Sequence, residues 1–296
     1  MSDEINLQTF EVLPVSKITN KPVIHFAHAN GMPSAVYEPF FAGLSAFFTI
    51  EYIAMLGDTP DYPVDNHWRS LTQQVIDSVK TACEKHSVSQ VVGVGHSLGA
   101  MCTLQAAYRE PKLFAQVVLM DPPWIYGKVS LLWHLAKTVD KLPLTSKRLM
   151  DKLSPAGISK HRRDVWDSRA EAYEKMRHKG FFKNFDERSF QGYIDHGLHE
   201  RADGKVTLAI PKASEVEVFR TNPSWYWLAP NRGPKVPVTL IIGQDSIFLK
   251  RRFPQQIKSR LGIPYETHEG GHMFPLEHPE SVSQQVLELI KRQLSK

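Results

Sequence analysis

The stretch Val91-Val92-Gly93-Val94-Gly95-His96-Ser97-Leu98-Gly99-Ala100 decides the fold of this chain. An apolar run typical of a strand ends in the pattern Gly-x-Ser-x-Gly, and a helical pattern from Met101 to Arg109 follows directly. A serine on such a strand-to-helix turn stands above the sheet, and the small residues around it leave room for a strained backbone. The first amides of the helix point towards any negative charge that develops beside the serine. The stretch therefore predicts that Ser97 is a nucleophile.

The overall composition is that of an ordinary soluble globular protein. The 296 residues suffice for one α/β domain with an insertion, and 42% of them are hydrophobic and 23% charged. The N-terminus, Met1-Ser2-Asp3-Glu4, lacks the parts of a signal peptide, and no stretch is apolar for long enough to span a membrane. Cys83 and Cys102 lie in helical patterns and their spacing is not that of metal ligands. We therefore expect both to be free thiols in a reducing compartment. We therefore expect a cytoplasmic protein with no metal site.

The positive charge of the chain is unevenly distributed. Residues 122–234 contain 20 Lys and Arg against 13 Asp and Glu, whereas the other residues contain 16 against 18. A solvated basic helical surface explains this excess better than nucleic-acid binding, with attraction for an anionic substrate or a membrane surface as the functional alternative. We expect a small-molecule substrate, no nucleic-acid partner and no stable membrane association. The sequence does not indicate an oligomeric state.

Strand and helix patterns alternate along the first 121 residues. A weak edge-strand pattern in residues 6–19 precedes the clear apolar strand 22–27, and the strands 48–54, 91–96 and 115–120 follow. Between them lie helices whose apolar residues recur at helical spacing, namely Tyr37, Phe40, Phe41 and Leu44 in one and Leu71, Val75 and Val79 in the next. This alternation predicts an α/β fold of three layers, with a mostly parallel central sheet and helices on both faces.

Functional residues in such sheets lie beyond the carboxyl ends of the strands. Asn30, Ser97 and Asp121 each come just after a predicted strand. Because these strand ends share one edge of the sheet, we expect the three residues to face one crevice.

The alternation stops after Asp121 and resumes with the strand 236–242. We therefore divide the chain into a core, residues 1–121 and 235–296, and a mainly helical cap or lid insertion, residues 122–234. In the insertion we predict a helix carrying Leu131, Leu132, Leu135 and Val139, a helix from near Ser159 carrying Val165, Trp166, Ala170 and Tyr173, and a short strand in residues 205–210. After residue 242 we predict a helix in 248–261, a strand in 264–268 and a closing helix.

A serine hydroxyl needs a base within hydrogen-bond reach, and His272 is the candidate. The chain has 13 histidines, but His272 follows the last strand in a Gly-Gly-His loop, where the order serine, carboxylate, histidine requires a base.

The carboxylate that orients this histidine has two candidates. Asp245 follows the strand 236–242, where such an acid is common, but the usual spacing Gly-x-x-Asp places Ser246 at the acid position. Asp121 follows the strand after the nucleophile strand, from which some hydrolases supply the acid. Asp121 is favoured and Asp245 is the alternative.

Two backbone amides are needed to hold a developing oxyanion. Leu98 supplies the first because it follows the nucleophile, and Asn30 supplies the second, with Met32 as the alternative to Asn30. Trp124 and Tyr126 at the start of the insertion are candidates for substrate binding.

These motifs together resemble the α/β-hydrolase superfamily over essentially the whole chain. More narrowly, His28-Ala29-Asn30-Gly31-Met32-Pro33 together with Gly271-His272-Met273-Phe274-Pro275 resembles an uncharacterised bacterial group of these hydrolases with a His-Ala-Asn-Gly loop. Members of that group resemble this chain in having Ser at the late acid position, which supports Asp121. The resemblance implies a capped serine hydrolase.

We therefore predict a serine hydrolase without a cofactor that cleaves a carboxylic ester or thioester of a small, largely apolar acyl or aryl substrate. The same triad supports hydrolysis of carbon–carbon or amide bonds and acyl transfer, so these reactions remain alternatives. A non-catalytic ligand-binding member of the fold is the alternative of another class. Dehalogenase and epoxide hydrolase chemistry is disfavoured because residue 97 is Ser rather than a carboxylate.

Overall fold

The computed structural model describes residues 21–142, 148–226, 228 and 232–294. The strand predicted in residues 6–19 lies outside them. In the part of the chain that the structure describes, no helix combines the length and the hydropathy that crossing a bilayer requires. Both cysteines, Cys83 and Cys102, are buried free thiols.

A six-stranded parallel sheet forms the centre of the molecule, in the order β2-β1-β3-β4-β8-β9. Its strands are β1 (Val23–Ala27), β2 (Thr49–Tyr52), β3 (Val91–His96), β4 (Phe114–Met120), β8 (Val238–Gly243) and β9 (Tyr265–His268). Every residue of β1, β3 and β8 is buried, which is why these strands are mostly apolar on both faces rather than alternating. The predicted α/β class is confirmed.

Helices cover both faces of this sheet and create two apolar cores. One face carries α2 (Arg69–His86), α3 (Leu98–Arg109) and α11 (Phe253–Leu261), and the other carries α1 (Glu38–Ala42) and α13 (Pro279–Leu294). Successive side chains of β1 point to opposite faces of the sheet, so Val23 belongs to the first core and Ile24 to the second. The predicted apolar stripe of α2 is buried in the first core.

Two short helices complete the C-terminal part, α10 (Ile247–Lys250) and α12 (Phe274–Glu277). The single helix predicted in residues 248–261 is therefore wrong, because α10 and α11 are separated by Arg252, whose φ is +58°. Pro254 explains the break. In a continuous helix it would lie in the interior, where it has no N–H to donate to the carbonyl four residues earlier, whereas in the first turn of α11 its missing N–H is tolerated.

The residues between β4 and β8, which we call the insertion (residues 122–234), contain helices and a small antiparallel sheet of order β5-β7-β6. Its helices are α4 (Lys128–Val139), α5 (Met150–Leu153), α6 (Ala156–His161), α7 (Arg169–Arg177), α8 (Glu187–His196) and α9 (Lys212–Thr221). Its strands are β5 (Val165–Trp166), β6 (Leu198–Glu200) and β7 (Val206–Leu208), and β7 agrees with the predicted strand in residues 205–210.

The helix predicted from near Ser159 to Tyr173 is also wrong. Val165 and Trp166 pair with β7 instead, and a separate helix, α7, begins after Ser168. The Ser168 side chain accepts a hydrogen bond from the Glu171 amide, which is a normal helix N-cap.

Candidate active site

Three adjacent strands deliver the predicted polar residues to one edge of the sheet. Asn30 lies in the loop after β1, Ser97 directly follows β3 and Asp121 directly follows β4. His272 lies in the loop after β9 at the far side of the sheet. Parallel strands end at the same edge, so the loops that carry these residues meet there.

Ser97 occupies a sharp turn between β3 and α3. Its φ is +51° and its ψ is −113°, a conformation that non-glycine residues rarely adopt and that is concentrated at functional sites. The Ser97 amide donates to Met120 O at 2.9 Å, and the Gly99 amide donates to His28 O at 3.0 Å. A Cβ atom on Gly99 would lie 2.1 Å from Ala27 O, so only glycine lets the loop after β1 lie this close to the start of α3.

A chain of two hydrogen bonds links the three residues of the predicted triad. The Ser97 hydroxyl lies 2.8 Å from His272 Nε2, and His272 Nδ1 lies 2.5 Å from Asp121 Oδ2. Ser97 is 8% exposed and Asp121 is fully buried, whereas a third of the His272 side chain is exposed. With a proton on Nδ1, Nε2 is free to accept the serine proton, which is the geometry of a general base beside an alcohol nucleophile.

The Asp121 carboxylate accepts further hydrogen bonds from the β8 side of the sheet. Ser246 Oγ donates to Oδ2 at 2.7 Å, and the Gly243 amide donates to Oδ1 at 3.2 Å. The φ of Asp121 is +41°, so the backbone is strained here as well as at Ser97. Ser246 therefore holds the Asp121 carboxylate from the position at which the usual spacing would place an acid. The sequence marked this position as unusual but did not indicate its hydrogen bond to Asp121.

Asp245, the alternative acid, is not brought to His272. Its side chain is 78% exposed, and its Oδ1 lies 3.9 Å from Lys250 Nζ. The backbone orients it away, because the Asp245 amide donates to Gly270 O while the neighbouring Ser246 side chain turns inward to Asp121. Of the two candidate carboxylates, Asp121 is the one within hydrogen-bond distance of the imidazole.

The predicted oxyanion donors differ in their availability. The amide of Met32 already donates to Ala29 O at 3.0 Å, so it is occupied within its own turn. Among the described residues, no acceptor is found for the amides of Leu98 and Asn30. The Asn30 side chain donates to Glu215 O of α9 at 3.0 Å, which joins the loop after β1 to the insertion.

A buried hydrogen-bonded chain connects this loop to the base, and the sequence did not reveal it. The Ala29 amide donates to the Tyr37 hydroxyl at 3.3 Å, and that hydroxyl lies 2.7 Å from His96 Nδ1. His96 Nε2 lies 2.8 Å from the backbone oxygen of His272. His96 therefore anchors the loop of the predicted base, although its side chain does not contact Ser97.

Burial determines the charge of the histidines around the site. Desolvation lowers the pKa of His96 to about 3, and the nearby His272 adds to this effect. Desolvation also lowers the pKa of His28 to about 4. Both rings are consequently neutral at pH 7, with one donor and one acceptor nitrogen each. His28 uses them to donate to Ala29 O and to accept the Leu56 amide, which fixes the loop after β1.

The two predicted substrate-binding aromatic residues lie in the core. Trp124 is 1% and Tyr126 is 7% exposed, and they contact each other edge to face with ring centroids 6.3 Å apart. Phe248 is the aromatic side chain beside the predicted base, with its ring centroid 5.6 Å from that of His272.

The family of this protein is shown by a family model that matches most of the chain. Residues 26–285 match the model of the alpha/beta hydrolase family. The chain belongs to this family, and its sheet order and strand-to-helix turn are those of an alpha/beta hydrolase fold.

Individual relatives are similar at lower identity. The uncharacterized hydrolase YugF of Bacillus subtilis (strain 168) is 26% identical over 226 residues, which cover 70% of this chain and 68% of YugF. The peroxisomal alpha-beta-hydrolase Lpx1 of Saccharomyces cerevisiae has the same fold, with a TM-score of 0.73 at 16% identity over 93% of this chain and 78% of Lpx1. The thioesterase domain from the curacin biosynthetic pathway gives a TM-score of 0.63 at 17% identity over 90% of this chain and 91% of that domain.

Proposed function

We propose that this alpha/beta hydrolase is a serine hydrolase that cleaves carboxylic esters or thioesters through an acyl-enzyme. The observation that supports the proposal is the pair of hydrogen bonds from Ser97 to His272 and from His272 to Asp121, at 2.8 and 2.5 Å. A structural hydroxyl would not need a strained turn, an imidazole within hydrogen-bond distance and a buried carboxylate in series.

The chemistry proceeds in two halves. Ser97 Oγ attacks the carbonyl carbon while His272 Nε2 takes its proton, and Asp121 stabilises the imidazolium that forms. The amides of Leu98 and Asn30 hold the oxyanion, an interaction worth about 2.7–4 kcal/mol for one good donor. His272 then protonates the leaving alcohol or thiol. Water activated by the same histidine releases the acid and restores Ser97.

An apolar acyl or aryl group fits the surroundings of the base. The Phe248 ring packs edge to face on the His272 ring at the partly exposed side of the site. We propose that the insertion acts as a cap over this region, since the side-chain Nδ2 of Asn30 donates a hydrogen bond to Glu215 O of α9.

A fluorophosphonate reagent tests the nucleophile directly. The native protein should be labelled at Ser97, and Ser97→Ala should lose the label together with about 10⁶-fold in kcat. Ser45→Ala is the matched control, because it removes an exposed serine hydroxyl that donates to Ala42 O rather than to the predicted triad, and it should retain labelling. Labelling that persists in Ser97→Ala would rule out the proposed nucleophile.

The substrate class is tested by hydrolysis of matched oxygen esters and thioesters with acyl chains of increasing length. We expect turnover of both classes, since a thiolate leaves at least as readily as an alkoxide, and a preference for apolar acyl groups. Labelling of Ser97 without turnover of any ester or thioester would instead favour carbon–carbon or amide hydrolysis, or acyl transfer.

A further inference from the structure

Helix α4 exposes three aliphatic side chains and buries a lysine, although Val129 and Trp133 pack against the first core. Ser130 and Lys137 are buried, whereas Leu132 is 65%, Leu135 52% and Val139 38% exposed. A surface helix normally buries its leucines and exposes its lysines. The outward leucines of α4 thus require an explanation beyond the packing of the fold.

The inward polar face has a clear structural cause. Lys137 Nζ donates to Asn222 O at 2.7 Å and to Thr221 O at 3.2 Å, which satisfies carbonyls at the end of α9. One turn earlier, His134 Nδ1 lies 3.1 Å from Ser224 Oγ. These contacts fix the rotation of α4, so its leucines are held outward.

The exposed apolar surface continues beyond α4. The carboxylate of Asp140 accepts hydrogen bonds from the amides of Leu149 and Met150, at 2.6 and 2.8 Å, which brings the start of α5 to the end of α4. Leu149, which directly precedes α5, is 36% exposed, and Leu153 on α5 is 54% exposed. We call the side chains that these two helices expose the apolar face: Leu132, Leu135, Val139, Leu149 and Leu153.

Positive charge coincides with this face. Residues 128–163 contain nine Lys and Arg against two Asp and Glu, whereas residues 164–234 contain 11 of each. The whole basic excess of the insertion therefore lies in the segment that exposes the leucines. Lys128, Lys141, Arg148 and Lys152 are exposed at the ends of α4 and on or beside α5, and we call them the basic rim.

We propose that the apolar face docks reversibly on an anionic lipid surface, with the leucines entering the interface and the basic rim contacting lipid phosphates. Apolar side chains flanked by Lys and Arg are the composition that lies in such an interface, and a fluid surface adapts to side chains that protrude. A second copy of the chain fits less well, because a symmetric contact would bring the same positive charges together. An acidic protein would neutralise the charges of the basic rim, but it would also need a surface complementary in shape to the five apolar side chains.

Vesicle sedimentation tests this proposal without depending on the hydrolase activity. The full chain should bind vesicles containing about one-third phosphatidylserine much more than pure phosphatidylcholine vesicles, because each basic side chain near such a surface contributes about fivefold. Raising the salt from about 0.1 to about 1 M should weaken this binding strongly, since the screening length falls from about 10 to about 3 Å.

Two variants separate the contributions of the face and the rim. Leu132→Ser/Leu135→Ser should reduce partitioning by about tenfold or more without lowering the unfolding temperature, because both side chains are exposed. Lys128→Gln/Lys141→Gln should reduce it by about 25-fold and weaken the salt dependence, because two of the four charges of the basic rim are lost. The matched controls are Leu228→Ser, an exposed leucine elsewhere in the insertion, and Lys80→Gln/Lys112→Gln on the core, and both should bind as the native chain does.

Equal binding to both kinds of vesicle, or native binding by the Leu132→Ser/Leu135→Ser variant, would overturn the proposal. So would a failure to bind vesicles combined with a concentration-dependent dimer that this variant abolishes, since the face would then be a subunit contact. Failure to bind vesicles combined with tight binding of an acidic polypeptide such as polyglutamate would equally overturn it.

Discussion

At the scale of single residues, Ser246 occupies the position at which the usual spacing would place an acid, and its hydroxyl donates to the carboxylate of Asp121. Both hydrogen bonds converge on Asp121 Oδ2, from His272 Nδ1 and from Ser246 Oγ. A buried carboxylate with two donors on one oxygen is restricted in its rotation, and the His272 ring is restricted with it. The arrangement supplies the orientation that a general base requires.

The acid assignment can be tested by neutral substitution. Asp121→Asn should lower kcat by up to about 10⁴-fold, because an amide cannot stabilise the imidazolium and favours the wrong tautomer. Asp245→Asn is the matched control and should leave kcat nearly unchanged, since its side chain is 78% exposed beside Lys250. Steady-state kinetics on one ester substrate gives both values. A large loss in Asp245→Asn with little loss in Asp121→Asn would reverse the assignment.

Much of this site could be predicted from residue types and order. The strand-to-helix turn marked Ser97, and the loop after the last strand marked His272, because local backbone geometry and chain order constrain both. The sequence did not decide between Asp121 and Asp245 as the acid. A shift of one residue after β8 determines whether the side chain of residue 245 or that of residue 246 turns towards the site. The link from Tyr37 through His96 to the His272 carbonyl was beyond sequence reasoning, since it joins residues far apart along the chain.

At the scale of secondary-structure elements, a buried ion pair joins three helices of the insertion next to the core loop that follows β1. Arg162, just after α6, donates to both oxygens of Glu215 on α9 at 2.9 Å and to the Tyr193 hydroxyl of α8 at 2.9 Å. Burial raises the pKa of Glu215, and Arg162 opposes that rise. Gly31 lies against the same carboxylate with a φ of +74°, and a Cβ atom there would be 2.5 Å from Glu215 Oε1.

Removing one partner of this pair should destabilise the protein strongly. Arg162→Met should lower the free energy of unfolding by about 3–5 kcal/mol, because Glu215 would stay buried without its counter-charge. Arg162→Met/Glu215→Leu should lower the free energy of unfolding by less than Arg162→Met alone, because no buried charge is then left without a partner. Denaturant titration measures all three proteins.

A surface pair of the same insertion provides the control. Arg201 and Asp203 are bonded at 3.1 Å, but both side chains are more than two-fifths exposed, so Arg201→Met should change stability by about 1 kcal/mol or less. A double variant less stable than Arg162→Met alone would contradict this explanation, because the cost would then not come from leaving the Glu215 charge without a partner.

The elements also show where sequence periodicity stops being informative. Fully buried strands are recognisable because both faces are apolar, and α2 because its stripe is regular. Helix α4 has apolar residues at helical spacing, yet its polar side faces inward, because Lys137 binds carbonyls of α9. Such a partner, 84 residues away along the chain, outweighs the preference of leucine for burial.

At the scale of the whole molecule, four buried histidines make the native state sensitive to acid. Burial is the largest cause that lowers the pKa of His25 and His28 to about 4, and of His67 and His96 to about 3. The unfolded chain binds these protons near pH 6.5, so it carries more protons than the native state between pH 6.5 and about 4. Stability is therefore present above that window and decreases as the pH falls through it.

We expect the free energy of unfolding to fall with a slope approaching about 5 kcal/mol per pH unit, the value for four protons. Denaturant titrations at about pH 7 and about pH 5 measure this slope. His25→Gln should reduce it by about one proton, whereas His196→Gln, which changes an exposed histidine, should not alter it. An unchanged slope in His25→Gln would contradict this origin of the acid sensitivity.

The pairing of β4 with β8 has a consequence for how such a protein can diversify. Met120 pairs with Ile241 although 120 residues separate them, and the Asp121 amide donates to Ile241 O at 2.8 Å. Because the two strands are parallel, the chain leaves the sheet at the carboxyl end of β4 and re-enters it at the amino end of β8, so the connection has to cross over the sheet. The strand pairing does not fix the length of this connection, and a longer connection costs little additional loop-closure entropy, so a segment of different length can be accommodated without shifting either strand. Exchange of the insertion between relatives can thus change selectivity while the sheet stays the same. The exchanged segment must keep the hydrogen bond that the Asn30 side chain donates to Glu215 O of α9.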